Sequence, residues 1–135
     1  MVEGIRFSLD VSHIHLYNTF MVVVITNTLD KKDVEKARED YRTYIKVTAD
    51  IKKKIVAIGG EYHADADEIL VGEYECESRD IWGGGYNIEN NQFETNALIN
   101  IRQPNNPSME IIDPEARKKF IELVQEVLVD LPEYL

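Results

Sequence analysis

The segment from Ile55 to Glu68 constrains the fold most, because an apolar run ends there at two glycines followed by a row of ionisable side chains. Four apolar residues bounded by Lys54 and Gly59 are typical of a buried strand. Gly59 and Gly60 permit backbone conformations and close approaches that a Cβ atom would block. The pattern therefore predicts a buried strand with a candidate site at its end.

The part of the chain before this segment predicts a strand, a helix and a second strand. Met21 to Ile25 is a continuous apolar run. Asp30 is a preferred N-cap residue, and Asp33 strengthens the start of a helix that we expect to end near residues 41–44. Apolar and polar residues alternate from Ile45 to Lys52, which indicates a half-buried strand joined by a hairpin to the next one.

The part of the chain after this segment ends in a second main helix. The period of residues 64–77 is ambiguous, and we favour a short helical turn there. Ile81 to Tyr86, with three glycines, and Ala97 to Ile101 are predicted strands. Asp113 as N-cap with proline after it starts a helix that Pro132 stops. We therefore predict an α+β fold, a single domain at residues 21–135, with a mostly antiparallel sheet of about five strands packed by two main helices. Residues 1–20 are predicted to be an N-terminal extension that can supply an extra strand.

The amino-acid composition and net charge restrict the possible partners and location of the protein. The chain of 135 residues is 44% hydrophobic and has 15 basic against 25 acidic residues, for a net charge of −10. Such a charge repels polyanions, so nucleic acid is disfavoured as a partner. The single cysteine, Cys76, forms no intramolecular disulfide, and no apolar run is long enough to span a membrane. With no targeting pattern, we expect a cytoplasmic protein without a membrane partner.

Glu61, His63, Asp65 and Asp67 form the first candidate site. Alternate residues of an extended chain share one face, so these side chains would converge on one divalent metal ion. One histidine with several carboxylates favours manganese, iron or zinc, and a metal-bound water would then serve as a hydrolytic nucleophile. The simpler alternative is that Asp65 or Asp67 caps a helix, Glu61 is solvated and His63 is structural.

Trp82, Arg102, Asn105 and Asn106 form the second candidate site. An arginine beside two amides would bind a carboxylate or phosphate in a fork, with the indole as a stacking wall. The simpler alternative is that Trp82 belongs to the core and Arg102 pairs with an acidic neighbour.

Several motifs together resemble a small prokaryotic family of unknown function. They are the run Gly59 to Asp65, the segment Asp80 to Gly83, the run Leu98 to Arg102 with two asparagines after it, and Asp113-Pro114. The resemblance covers about residues 21–131 and implies no activity.

Three functional hypotheses follow, and they leave open whether the protein is an enzyme. The first is a binding or interaction module, which includes self-association into a homo-oligomer. The second is a metal-dependent hydrolase that uses the His63 cluster. The third is a sensor of a small anionic ligand that uses Arg102 and its loop.

Overall fold

The computed structural model describes residues 21–135, which form five strands and three α-helices joined by short turns. The strands are β1 (Val22–Ile25), β2 (Tyr44–Asp50), β3 (Ile55–Gly59), β4 (Ile81–Asn87) and β5 (Gln92–Glu94). The helices are α1 (Lys31–Ala37), α2 (His63–Tyr74) and α3 (Pro114–Val127). The predicted extension at residues 1–20 lies outside the described residues.

The strands form one sheet in the order β1-β3-β2-β4-β5, and every neighbouring pair is antiparallel. The α+β prediction is therefore confirmed. The predicted hairpin between β2 and β3 is also present, and the side chain of Asp50 holds its turn. One carboxylate oxygen of Asp50 accepts hydrogen bonds of 2.8 Å from the backbone N–H groups of both Lys52 and Lys53.

Two segments form other elements than the sequence predicts. Residues 97–101 are not a strand, because Leu98–Asn100 forms a single 3₁₀ turn, and the fifth strand is the three-residue β5. The short helical turn expected after Gly60 is instead the twelve-residue helix α2.

The first helix begins where the sequence predicts. Asp30 and Asp33 form a reciprocal capping box, in which each side chain accepts a hydrogen bond from the backbone N–H of the other. The helix ends at Ala37, earlier than the predicted limit at residues 41–44.

The sheet is covered on both faces, so the described residues have a core on each side. Val34 of α1 and Phe120 of α3 are fully buried in the cluster on one face. Leu70 of α2 is fully buried in the cluster on the other. Successive residues of a strand face opposite sides, and accordingly Val23 belongs to the first cluster and Val24 to the second. None of the helices in the described part of the chain is long and apolar enough to cross a membrane.

Candidate functional site

A cleft with a volume of about 300 Å³ opens beside α2, and we call it the Asp67 cleft. The turn at residues 78–80 and the segment at residues 99–102 form its other walls. It is lined by three isoleucines, two arginines, an aspartate and a serine: Ile81, Ile99, Ile101, Arg79, Arg102, Asp67 and Ser78. Ligand sites of about this size and above are usually apolar clefts with a few fixed polar groups, which is the composition seen here.

Arg102 is held rigidly in the wall of the cleft. Its Nη1 atom donates to the carbonyl oxygen of Arg79 at 2.8 Å, and its Nη2 atom donates to those of Ile81 at 2.7 Å and Ile99 at 3.2 Å. Its Cζ atom lies 3.9 Å from the centroid of the Trp82 ring, within the range of a cation-π interaction. The ring of Trp82 thus stacks on this arginine, and Trp82 is a core residue that is only 6% exposed, as the simpler sequence alternative proposed.

The side chain of Asn100 makes the hydrogen bonds of a neighbouring strand at the edge of β4, next to Arg102. Its Oδ1 atom accepts from the N–H of Gly83 at 2.8 Å, and its Nδ2 atom donates to the carbonyl oxygen of the same glycine at 2.9 Å. The buried amide thus pairs with β4 as a neighbouring strand would. Together with the guanidinium group on Ile81, it covers an edge that would otherwise present unpaired backbone groups.

The expected fork of Arg102 with two asparagines is not formed. Asn106 is buried, and its Nδ2 atom donates to three backbone carbonyl oxygens at 2.8 to 3.0 Å. Its Oδ1 atom accepts from the N–H groups of Ile112 and Asp113. Asn106 is therefore structural, because its amide is saturated by the backbone. Asn105 is exposed and does not line the cleft.

Asp67 is a polar residue of the cleft with one carboxylate oxygen that lacks a hydrogen-bond partner. This atom, Oδ1, is buried. Burial raises the pKa of Asp67, while the guanidinium group of Arg102 and the hydroxyl of Ser78 act in the opposite direction. A buried carboxylate oxygen without a partner costs about 1 to 3 kcal/mol, more when charged, so a hydrogen-bond donor that reaches this atom would stabilise the folded chain.

His63 does not line the Asp67 cleft, and its ring lies against β4. Its Nε2 atom lies 2.6 Å from the carbonyl oxygen of Gly84. Burial lowers the pKa of His63 to about 4, the hydrogen bond to Gly84 opposes this shift, and Lys46 adds to it. The imidazole is therefore neutral at pH 7 and acts as a structural donor, as the simpler sequence interpretation proposed.

The metal hypothesis assumed an extended chain, and this assumption was wrong. Since α2 begins at His63 and successive helical residues turn by about 100°, His63 and Asp65 point in nearly opposite directions. Asp65 instead accepts a hydrogen bond of 3.3 Å from the N–H of Tyr62 at the start of the helix. Between residues 21 and 135, no group of three or more His, Cys, Asp or Glu side chains is arranged to hold a metal ion. The cluster of Glu61, His63, Asp65 and Asp67 therefore lacks the geometry of a ligand set.

Sequence reasoning identified Arg102 and Asp67 but assigned them to different sites. Ser78, Ile99 and Ile101 were not identified from the sequence, because no local pattern marks an exposed serine or the residues of an expected strand as part of a binding site. The spacing of Asp67 four residues after His63 places both on one side of α2, a relation visible only once a full helix is assigned.

The fold and the cleft define a small α+β protein with an antiparallel sheet and a charged cleft at one of its edges. The chain belongs to the family described as protein of unknown function (DUF5674), whose model matches residues 23–127. This match confirms the resemblance drawn from the motifs to a family of unknown function. Comparison with curated proteins and with solved structures finds no match to the chain.

Proposed function

We propose that this protein is a small-ligand-binding module and that the Asp67 cleft is its site. The observation that carries the proposal is that Asp67, whose Oδ1 atom has no hydrogen-bond partner, lines the same cleft as Arg102, whose guanidinium group is held by backbone carbonyl oxygens. Rigid, preorganised polar groups lower the entropic cost of binding. A hydrogen-bond donor on the ligand would supply the partner that the Oδ1 atom of Asp67 lacks.

The lining of the cleft suggests the class of ligand. A simple anion would be attracted by Arg79 and Arg102 but repelled by Asp67, so the anionic ligand expected from the sequence fits poorly. A zwitterion is attracted by both kinds of charged side chain, because its ammonium group can lie at Asp67 and its carboxylate at the arginines. The side chains of Ile99 and Ile101 would contact an apolar group. The ligand class proposed is therefore an α-amino acid with an aliphatic side chain.

Thermal unfolding with four small probes tests this proposal. Leucine carries all three groups, leucinamide lacks the carboxylate, 4-methylpentanoate lacks the ammonium group, and glycine lacks the side chain. At a ligand concentration ten times the dissociation constant, binding stabilises by about 1.4 kcal/mol, which corresponds to roughly 3 to 8 °C for a domain of this size. We expect the largest increase with leucine. No shift with leucine, or equal shifts with leucine and leucinamide, would contradict the proposed ligand class.

A matched pair of variants locates the site. Asp67→Asn keeps the shape of the side chain but removes the charge that would bind the ammonium group, so the shift with leucine should disappear. Glu68→Gln removes the same charge from the next residue, which is exposed and does not line the cleft, so the shift should remain. Equal behaviour of the two variants would place the ligand elsewhere.

Self-association, included in the first sequence hypothesis, stays a prediction. The sequence basis for it is a self-complementary patch of Tyr17, Phe20 and the aromatic residues near Tyr134. Tyr17 and Phe20 lie outside the described residues, and Tyr134 packs against the core. Sedimentation at several protein concentrations tests it directly.

A further inference from the structure

A second depression lies between β5 and α3, and we call it the β5 groove. Its volume is about 570 Å³, within the usual range of small-ligand sites. Six of its ten described lining residues are apolar or aromatic, three carry amides, and one, Arg117, is charged. None of these ten residues lines the Asp67 cleft. The β5 groove is therefore a separate apolar site with a single cation.

The charge of this lining restricts the ligand. The chain has 25 acidic residues and a net charge of −10, yet none of the described residues that line the groove is acidic. An anion would therefore be attracted by Arg117 and would meet no carboxylate in the lining. One cation among apolar side chains favours a monoanion with an apolar body over a polyanion or a zwitterion.

The guanidinium group of Arg117 is anchored at one of its atoms. Its Nη1 atom donates to the hydroxyl of Thr95 at 2.6 Å and lies 3.4 Å from the carboxylate of Glu110. That carboxylate also accepts hydrogen bonds from the Thr95 hydroxyl and the Asn96 amide, at 2.9 and 3.0 Å. Within residues 21–135, the Nε and Nη2 atoms of Arg117 make no hydrogen bond. These two atoms form a planar fork of the kind that binds a carboxylate through two parallel hydrogen bonds.

The spacing between this fork and the apolar wall sets the shape of the ligand. Arg117 and Ile121 are four residues apart on α3, so their side chains are neighbours about 6 Å apart. On the other wall, Thr95 binds Arg117, and Phe93 lies two residues before it, which is about 6.6 Å in an extended chain. Both values fit a ligand in which about three methylene groups separate the carboxylate from the apolar body.

An aromatic ring is the apolar body that this wall favours. The rings of Phe93 and Tyr86 meet edge to face, with centroids 4.9 Å apart and 65° between their planes. Phe93 is only partly buried, so its ring is available for a further contact of the same kind. Val129 also lines the groove and is 67% exposed. A ring bound here would remove apolar surface of Val129 from water.

We propose that the β5 groove binds an aryl-alkanoate, a monocarboxylate in which about three methylene groups join the carboxylate to an aromatic ring. The carboxylate binds the Nε and Nη2 atoms of Arg117, and the ring contacts Phe93 and Ile121. The site is separate from the Asp67 cleft, so the inference goes beyond the proposed amino-acid binding and does not depend on it.

Amide chemical shifts of the ¹⁵N-labelled protein test the proposal with four probes. 4-Phenylbutanoate carries both groups, 4-phenylbutanamide lacks the charge, butanoate lacks the ring, and 4-cyclohexylbutanoate has a saturated ring. We expect 4-phenylbutanoate at millimolar concentration to shift the amides of residues 92–95 and 117–129. The amide probe should bind about two- to fivefold more weakly, as expected for an exposed ion pair. Butanoate should leave these amides unchanged, and the cyclohexyl probe should bind more weakly than 4-phenylbutanoate.

Three results would overturn the proposal. The first is that 4-phenylbutanoate leaves both segments unchanged or shifts residues 78–81 and 99–102 instead, which would assign it to the Asp67 cleft. The second is equal binding of 4-phenylbutanoate and its amide, because the carboxylate would then not be recognised. The third is equal binding of the phenyl and cyclohexyl probes, because the aromatic ring would then not be recognised.

The variants Arg117→Gln and Lys119→Gln form a matched pair for the carboxylate. Both side chains lie on α3, are about half exposed and form an ion pair with an acidic neighbour, but only Arg117 lines the groove. We expect Arg117→Gln to bind 4-phenylbutanoate and 4-phenylbutanamide equally, and Lys119→Gln to keep the preference of the wild type. An unchanged preference in Arg117→Gln would overturn the proposal.

The variants Val129→Asp and Ile112→Asp locate the ligand without changing the Arg117 ion pair. Both residues are exposed and apolar, but only Val129 lines the groove. We expect Val129→Asp to weaken binding of 4-phenylbutanoate, because the new carboxylate repels the ligand and replaces apolar surface. Ile112→Asp should leave binding unchanged. Equal binding by the two variants would place the ligand outside the groove and overturn the proposal.

Discussion

The Nε2 atom of His63 lies 2.6 Å from the carbonyl oxygen of Gly84, and this hydrogen bond joins the first residue of α2 to the centre of β4. Because a carbonyl oxygen only accepts, Nε2 carries the proton and the neutral ring has a bare Nδ1 atom. The ring lies against Gly83, where an added Cβ would be 2.9 Å from the His63 Cδ2 atom. The glycine run of β4 therefore lets a helix side chain reach the backbone of the strand.

This histidine predicts a pH dependence of stability. Its folded-state pKa of about 4 lies below the ordinary value of 6.5. At a pH between these two pKa values the unfolded chain binds more protons than the folded chain. The free energy of unfolding therefore falls as the pH drops from 6.5 to about 4. The stabilising contribution is complete above pH 6.5 and amounts to no more than about 3.4 kcal/mol. His63→Gln keeps a donor for Gly84 but does not titrate. The free energy of unfolding, measured with urea, should thus fall more between pH 7 and pH 4.5 for the wild type than for His63→Gln. Equal decreases would refute the lowered pKa of His63.

A second prediction concerns the amide of Asn100. Asn100→Ala should lower the free energy of unfolding by roughly 3 to 5 kcal/mol, because several buried backbone groups lose their partner at about 1 to 3 kcal/mol each. These groups include the N–H and carbonyl of Gly83 and the carbonyl of Met109. Asn105→Ala changes an exposed residue and should stay within about 0.5 kcal/mol of the wild type. Chemical denaturation measures both, and similar values would show that the buried amide does not support the edge of β4.

A third prediction contrasts two glycines. A Cβ atom at Gly84 would overlap the carbonyl oxygen of Glu94 and lie 3.0 Å from the ring of Phe120, so Gly84→Ala should cost about 3 kcal/mol. Gly72 lies within α2 with nothing near its missing Cβ, and Gly72→Ala should stabilise by about 0.5 to 1 kcal/mol. Opposite shifts in the midpoint of thermal unfolding are expected. A Gly84→Ala variant as stable as the wild type would show that β4 can move away from β5.

The elements that local chemistry specifies were predictable from the sequence. Asp30 with Asp33 marked the start of α1, and Asp113 with Pro114 marked the start of α3, because capping residues act through neighbouring backbone N–H groups. The apolar run of β3 and the alternation of β2 likewise correspond to strands. In each case the pattern depends on residues a few positions apart.

The elements that distant contacts specify were not predictable. Leu98 to Arg102 alternates like a strand, but the buried amide of Asn100 takes the place of strand pairing at Gly83. The period of α2 was obscured because Gly72 and its acidic residues break the apolar face. The Asp67 cleft joins residues more than ten positions apart, so no local pattern in the sequence brings Asp67 next to Ser78 and Arg102.

The last prediction concerns the apolar face of α3, which belongs to the core cluster on one face of the sheet. Leu123 is 8% exposed and lies in the same core cluster as Phe120. Leu123→Ala removes buried methyl groups and leaves a cavity, so it should lower the free energy of unfolding by about 2 to 5 kcal/mol. Ile112→Ala is the control, because Ile112 is 51% exposed and its truncation leaves no cavity. Urea unfolding compares the two variants. A stability of Leu123→Ala equal to that of the control would mean that α3 does not pack on the sheet through this face.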